Sequence, residues 1–459
     1  MSILLFWSVE PNWPRALLEL LTFTAGRTEG RSASITRFRA LIAPYQHFLQ
    51  EMHIIKVAGT NGKGSVCAML EACLKWSGQR VGMFTSPHLS RITERFRVAG
   101  IEISLDALDN IAQEVLRAAQ RLAAKRGESH VPSFFEALIV MAVLLFHEHR
   151  VTTAIFEAGV GGYSDATSEL PGEIAVITSL GLDHQQQLGG SLAAIAADKA
   201  GIASGVKQLI LGPDISHDLR AIIEKDSHVR EITVCQARVD SARVILGDLR
   251  HPTSIEVEAD GTIISIVLPL LGRHQVSNFA TATAAVRALA QMAIVDGIAC
   301  LEGVEQTIWE GRLEVCDTAP RLILDAAHND QGLRALVDSL EDLVPYGERV
   351  LLYGASLGKD YEACLPQLSR LAPEIYLVEG FYRARSASSI ATKLPADCGY
   401  VKSFSSPRQA IEYFSDRQGF GDRTLIAAGS IFMIGEMKSY LAATAKPNDL
   451  AQHSETNHG

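Results

Sequence analysis

Short runs of branched apolar residues alternate along most of the chain with segments whose apolar positions recur every three or four residues. The first clear run, His53-Ile54-Ile55-Lys56-Val57, reads as a buried parallel strand. Val66, Met69, Leu70, Cys73 and Leu74 then fall on one face of a helix that Gly78 stops. Runs at 80–85, 153–157, 174–179 and 208–211 read as further strands separated by helical segments. That rhythm predicts an α/β fold built on a doubly wound parallel sheet. Ser104 is placed to cap a helix running towards Lys125, and Ser133-Phe134-Phe135-Glu136 has capping-box spacing for a helix to about His147. Residues 1–50 read as helices, with Pro14 suited to a first turn and Ile35, Phe38, Leu41 and Ile42 on one face. Over 243–268 the pattern turns to alternation and β-branching, which predicts a few antiparallel strands attached to the sheet. An alanine-rich helix follows from about Ser277. Past Trp309 the rhythm restarts, with strands at 322–325, 350–353, 375–378 and 424–427. The organisation expected is a large domain over 1–308, a hinge at 309–312, a smaller α/β domain over 313–443 and a polar, disordered tail over 444–459.

Composition narrows this little. The 459 residues are too many for one average domain, and 47% hydrophobic with 20% charged residues is ordinary globular composition. A formal charge of −10 argues against nucleic acid or an anionic membrane as partner. Seven scattered cysteines without a Cys-x-x-Cys pair suggest neither disulfides nor zinc, and a reduced, cytoplasmic compartment is expected. The apolar Ile3-Leu4-Leu5-Phe6-Trp7 lacks a basic leader and meets Glu10 and Pro11, so it does not read as a signal peptide, and no run is long enough to span a membrane.

The chemistry concentrates at predicted strand ends. Gly59-Thr60-Asn61-Gly62-Lys63-Gly64-Ser65 joins the first strand to the first periodic helix. Small residues there let backbone N–H groups approach phosphate oxygens, the helix start favours negative charge, and Lys63 adds a point charge. The strict phosphate-loop pattern is not met, because Val57 holds the first glycine position and Gly64 separates the lysine from the hydroxyl. Glu157, followed by Gly159, Gly161 and Gly162, suits Mg²⁺ held against phosphates, although an acid at a strand tip is also an ordinary solvated turn. His184, after the 174–179 strand, taken alone is more often structural than a ligand. Lys199 at a short helix's C-terminus is sufficiently explained by the helix dipole, and Asn278 reads as an N-cap region residue.

Taken together in chain order, these motifs resemble the folate branch of the Mur-ligase superfamily, the dihydrofolate synthase and folylpolyglutamate synthase family, over about residues 37 to 441. The resemblance implies a Mur-ligase-like fold and an enzyme that activates a carboxylate with ATP and joins it to the amine of glutamate. It implies ATP on Gly59 to Ser65, with Asn278, Arg312 of Trp309-Glu310-Gly311-Arg312 and Asp325 of Asp325-Ala326-Ala327-His328-Asn329 also at the nucleotide. It places magnesium, as one or two ions, on Ser86 of Thr85-Ser86-Pro87-His88, on Glu157 and on His184. Asp198-Lys199-Ala200-Gly201-Ile202 is similar to a motif whose lysine is carbamylated, which carries that modification to Lys199 as a hypothesis. His328 and Ser430 are implied near the incoming amino acid, and domain closure is implied to complete the site. Lys63, Lys199 and His328 are therefore the candidate catalytic residues.

For the acid, dihydropteroate or a reduced folate is implied, with Phe134, Phe135, Glu136, Ser164, Asp165 and Ala166 as candidate pocket residues. The plainer reading keeps Glu136 as the capping partner of Ser133 and both phenylalanines as core. Departures cluster on this side. Tyr163 and Ser168 stand where the family usually has arginine and asparagine, Ala99 where asparagine is common, Asp330 where proline is usual, and Gly358 where aspartate is usual. The alternatives are a paralogue joining an amino acid to a different carboxylic acid, and a non-catalytic ATP-binding regulatory protein. Partners are expected to be small molecules only, and the protein a monomer.

Overall fold

In the computed structural model, the residues described are 13–24, 31–227, 233–237, 244–249, 251–259, 262–297, 299–316, 321–416 and 423–444. The predicted tail at 444–459, apart from Thr444, which ends a helix, and parts of the 1–50 and 243–268 predictions lie outside them. The chain divides into two units between Glu310 and Gly311.

The first unit is built on an eight-stranded sheet. Its strands are β1 (His53–Ala58), β2 (Val81–Phe84), β3 (Phe96–Val98), β4 (Ile101–Glu102), β5 (Thr153–Glu157), β6 (Ile174–Ile177), β7 (Gln208–Leu211) and β8 (Thr233–Gln236), in the order β4-β3-β2-β5-β1-β6-β7-β8. From β2 to β8 every pairing is parallel, and the β3–β4 ribbon adds antiparallel to β2. β1 sits in the interior between β5 and β6, with Val57 opposite both Glu157 and Val176. All three strands therefore end together, and the loops after them share one edge. That edge, at the strands' carboxyl ends, is where open α/β sheets take their ligands.

Helices cover both faces. On one, Phe134–Glu148 packs with Leu105–Arg126 and the N-terminal helices Arg15–Thr24 and Arg31–Ile42 around Phe84, Phe96 and Phe156. On the other, Lys63–Trp76 and Arg273–Gln291 bury Val66, Leu70, Val276 and Phe279 against Ile55 and Val57. A fully buried side chain of this size contributes about 1.5–3 kcal/mol, so both faces are strongly specified. The predicted caps form: Ser104 accepts from Ala107 N, and Ser133 and Glu136 make a reciprocal capping box.

Two expectations are corrected. The antiparallel strands expected on the main sheet form a separate three-stranded sheet, β9 (Val244–Ile245), β10 (Thr253–Ala259) and β11 (Thr262–Leu268), in the order β11-β10-β9. Its Ile255, Val257, Ile266 and Leu268 join the second core, so it is held by packing. The helix expected from Ser277 starts at Arg273 behind Gly272, whose φ of 100° is a conformation glycine adopts freely. Asn278 therefore lies inside the helix and is not its cap.

The second unit carries a six-stranded sheet of β12 (Glu314–Cys316), β13 (Arg321–Leu324), β14 (Arg349–Tyr353), β15 (Glu374–Val378), β16 (Tyr400–Phe404) and β17 (Thr424–Ala428), ordered β12-β13-β17-β14-β15-β16. Only β12 runs antiparallel. Among the described residues, no helix is long and apolar enough to cross a membrane.

Candidate functional site

The loop after β1 is held from two sides. Thr178 Oγ1 donates to Asn61 O at 2.6 Å, and Asn61 N donates to Ser179 Oγ at 3.0 Å. Thr60 Oγ1 and the backbone of Gly181 are joined at 3.0–3.1 Å. These contacts clip the loop to the chain leaving β6, the segment that carries His184. Gly59 is glycine of necessity: φ is 151°, and a Cβ would stand 2.0 Å from Thr178 Oγ1. At the helix start, Gly62 has φ 84° and Asn278 Oδ1 where a Cβ would project, so the loop and Asn278 are in contact. Gly64 is closed by the ring of Trp309, which is 2.6 Å from its ideal Cβ position. Ser65, 1% exposed, turns away from the loop, its Oγ accepting from Gln275 Nε2 at 3.3 Å.

Val66 N makes a helical bond to Gly62 O. The N–H groups of Lys63, Gly64 and Ser65 therefore precede the ladder and mark the positive end of the helix. Two lysines meet just before it. Lys63 Nζ donates to Gly59 O at 3.2 Å and to Thr60 O at 3.4 Å, and Lys199 Nζ donates to the same Gly59 O at 2.8 Å. Burial first, and the neighbouring Lys63 charge second, push the Lys199 pKa down to about 7. The Lys63 ammonium at this loop makes a focus of positive potential that an anion would relieve.

At the tip of β5, in register with Val57, is Glu157, 4% exposed. Its Oε2 accepts from Ser86 N at 3.0 Å, which brings Ser86 and Glu157 together at adjacent strand tips. Ser86 Oγ is buried with no hydrogen-bond partner among the described residues. His184 stands beyond β6 with φ 52°, a left-handed conformation that is uncommon outside glycine, and its ring is 3.8 Å from Asp183.

The glycines after Glu157 pack on the end of the Leu192–Ala200 helix. A Cβ on Gly162 would meet Lys199 O at 2.6 Å, and Gly162 N and Ser164 Oγ donate to the two oxygens of Asp198 at 2.8 and 2.7 Å. Asp198 is thus a residue the sequence reading passed over although it adjoins Lys199. Asp165 is the centre of the same loop. Its buried carboxylate accepts from Gly159 N, Val160 N and Thr167 N at 2.9–3.0 Å, and burial raises its pKa. Ala166 is buried at the start of the short turn that Asp165 caps. Ser164 and Asp165, expected to face substrate, are therefore committed to shaping this loop.

The same holds for Glu136. Its oxygens accept from Ser34 Oγ at 2.5 Å, Arg37 Nη2 at 3.4 Å and Ser133 N at 2.9 Å, and it is 2% exposed, which supports the capping reading. Phe135 reaches the site edge, its ring lying 2.9 Å from where a Gly159 Cβ would be. Phe134 stacks on Trp13, which also meets His88 edge-on, and Arg95 Nε donates to His88 Nδ1 at 2.9 Å. Sequence reading missed Trp13, having no periodic pattern to attach it to. It also missed Lys56, the one charge inside the β1 run. Lys56 is fully buried and donates to Ser168 O, Leu170 O and Ser204 O at 3.3, 2.9 and 2.5 Å, with its pKa lowered to about 7 by burial.

In the second unit the candidate residues gather at the strand ends. Asp325 accepts from Leu313 N at 2.9 Å and Ala327 N at 2.8 Å, and Arg312 Nη1 donates to Gly311 O at 2.8 Å. His328 Nδ1 lies 2.9 Å from Ala326 O, and buried Ser430 shares a 2.7 Å hydrogen bond with Ser356. Asp330, where proline is usual, opens the helix Asp330–Leu343 behind the Asn329 cap, a first-turn position that suits an acid as well as a proline. Gly358 has φ 84°, which accounts for glycine in place of aspartate.

Two family models match the chain. The Mur ligase middle domain matches residues 57–286, and the Mur ligase glutamate ligase domain matches residues 311–430. The probable bifunctional folylpolyglutamate synthase/dihydropteroate synthase of Haloferax volcanii is 31% identical over 393 residues, which are 84% of this chain. The match covers 46% of that longer protein, so the chain spans about half of its length. The Escherichia coli dihydrofolate synthase/folylpolyglutamate synthase is 31% identical over 398 residues, covering 85% of this chain and 87% of that protein. The Mycobacterium tuberculosis folylpolyglutamate synthase complexed with ADP superposes with a TM-score of 0.82 at 27% identity, over 94% of this chain and 99% of that one. The chain belongs to the Mur ligases and, within them, to the dihydrofolate synthase/folylpolyglutamate synthase family.

Proposed function

We propose that this protein is an ATP-dependent amide ligase that joins L-glutamate to dihydropteroate, to a reduced folate, or to both. The observation that carries this reading is the Lys63 ammonium folded over its own loop, onto Gly59 O and Thr60 O, at the open start of the Lys63–Trp76 helix. Such a focus suits a polyphosphate, and family membership supplies the reaction. A carboxylate oxygen of the acid attacks the γ-phosphorus, the bond to the bridging oxygen breaks, and ADP leaves an acyl phosphate. The glutamate nitrogen then attacks the acyl carbon, loses a proton and expels phosphate. The chain's part is positioning and fixed charge, with Lys63 and the loop amides on the phosphates. Asn278, Arg312 and Asp325 are assigned to the nucleotide, and His328 and Ser430 to the amino acid, on their sequence motifs.

Ser86, Glu157 and His184 would hold Mg²⁺. The fit rests on Ser86 Oγ, a buried oxygen without a partner among the described residues, next to the Glu157 carboxylate. Among those residues no three His, Cys, Asp or Glu side chains form a metal nest. Magnesium takes one or two carboxylates and completes its shell with phosphate oxygens and water; His184 joins Ser86 and Glu157 here on its sequence motif alone. When bound, the ion supplies positive charge to the phosphoryl group in transfer. Glu157→Gln and His184→Ala are each expected to raise the magnesium requirement about tenfold or more and to lower the rate. Unchanged midpoints and rates in a magnesium titration would make both residues structural.

The ligase reading itself is tested by ADP release. Release should require both an acid and glutamate, whereas a regulatory ATP-binding protein would show ADP formation indifferent to them.

A further inference from the structure

Phosphate loops of the strict pattern place a Ser or Thr directly after the lysine, on the phosphate side of the helix start. Here that position is Gly64. The next hydroxyl, Ser65, is turned into the interface with the Arg273–Gln291 helix, where it accepts from Gln275. What fills the space over Gly64 is Trp309. An ideal Cβ at Gly64 would stand 2.6 Å from Trp309 Cζ2 and 2.8 Å from both Cε2 and Nε1, so the nitrogen edge of the indole lies against the first turn.

Trp309 Nε1 is buried and has no hydrogen-bond partner among the described residues. Unmade hydrogen bonds of buried donors are costly and call for a physical reason. The surroundings supply donors and cations: the N–H groups of the first helical turn, and Lys63 and Lys199 at Gly59 O. A partner for one more donor there has to be an acceptor, and among donors and ammonium groups an anionic one is favoured. A metal ion does not serve, because an indole N–H has no lone pair to offer.

We infer that Trp309 is a nucleotide-binding residue whose indole N–H donates to a phosphate oxygen, in the space that the missing side chain of Gly64 leaves open. Gly64 and Trp309 form one device: the glycine makes room for the ring, and the ring adds a donor for the phosphates. The inference rests on the nucleotide reading of the Gly59–Ser65 loop.

The test is calorimetric titration of the full-length protein with ADP and with ATP. Trp309→Phe keeps an aromatic ring over Gly64 and removes the N–H. It should weaken both nucleotides about tenfold or more, the loss typical of a hydrogen bond to a charged group. Thermal stability without nucleotide should not fall, since the donor removed had no partner. Trp309→His, which restores a ring N–H, should recover part of the affinity. A residue that only packs gives the opposite pattern, lower stability with unchanged affinity, and that result overturns the inference. Lys63→Ala in the same assay separates the two layers. If it also binds nucleotide like the parent, the loop assignment fails; if it alone weakens binding, the Trp309 assignment fails. Should Trp309→Phe not fold, the parent carries the test. With the four tryptophans labelled at the indole nitrogen, one N–H resonance should move downfield on adding ADP, and no movement contradicts the proposal.

Discussion

Lys63→Ala is expected to lower acid-dependent ADP formation about 10²–10³-fold while leaving the fold intact. The side chain is part-exposed, and its hydrogen bonds go to two carbonyls of its own loop, Gly59 and Thr60. Little packing is therefore lost on truncation. What disappears is a positive charge at the helix start, where negative charge builds up as the phosphoryl group transfers. Lys199 is too deeply held by Gly59 O and its own burial to swing into the vacated place. Steady-state rates with saturating acid and glutamate, beside a circular dichroism melt, check both halves. A folded variant with near-parental turnover would remove the loop from the mechanism.

Lys199→Ala should be nearly as damaging, by about 10²-fold or more, for a different reason. Two ammonium groups on one carbonyl are a poor neighbour for Mg²⁺, whereas a carbamate on Lys199 would supply anionic oxygens of the kind magnesium prefers. The environment favours that chemistry. Burial and the Lys63 charge lower the Lys199 pKa to about 7, so the neutral amine predominates above that pH. Only the neutral amine adds to carbon dioxide: an N–C bond forms, one proton is released, and the remaining N–H can still donate to Gly59 O. The sign follows. The neutral fraction grows as pH rises through about 7, so activity at limiting carbon dioxide should rise across the same window. A short carboxylate should partly rescue Lys199→Ala. Full activity of the alanine variant, or a nucleotide-bound crystal structure with a plain ammonium paired to an acid, would count against the modification.

The strand tips that carry this chemistry were legible because interior parallel strands are buried on both faces. The runs ending at Ala58, Glu157 and Ile177 are apolar almost throughout, and the glycines that follow two of them mark close backbone approaches. Strands at the edge of a sheet or next to it escaped. In β16 only Phe404 is buried, and β3 carries Arg97 between Phe96 and Val98, so neither shows a solid apolar run. Sequence spacing also could not tell a residue that faces a ligand from one that builds the loop beneath it. Asp165 and Glu136 are polar residues in motifs at the site, yet their carboxylates are taken up by backbone N–H groups and by Ser34 and Arg37. Trp309 and Gly64 stand 245 positions apart, and only the fold shows that one explains the other.

Those loop-building roles bear on the acid substrate. Tyr163, where the family usually has arginine, is 46% exposed, and Ser164 is tied to Asp198. The polar groups left to recognise a pterin are fewer than the motif alone suggests, so the acid is the place to press the account. The decisive measurement is a competition: dihydropteroate, a reduced folate monoglutamate and several unrelated aromatic acids at equal concentration, with ATP, Mg²⁺ and glutamate, products identified by mass. Glutamyl adducts on the pteroate compounds alone are the result this account predicts. An adduct only on a non-pterin acid would contradict the substrate assignment, and no adduct with any acid would contradict the ligase itself.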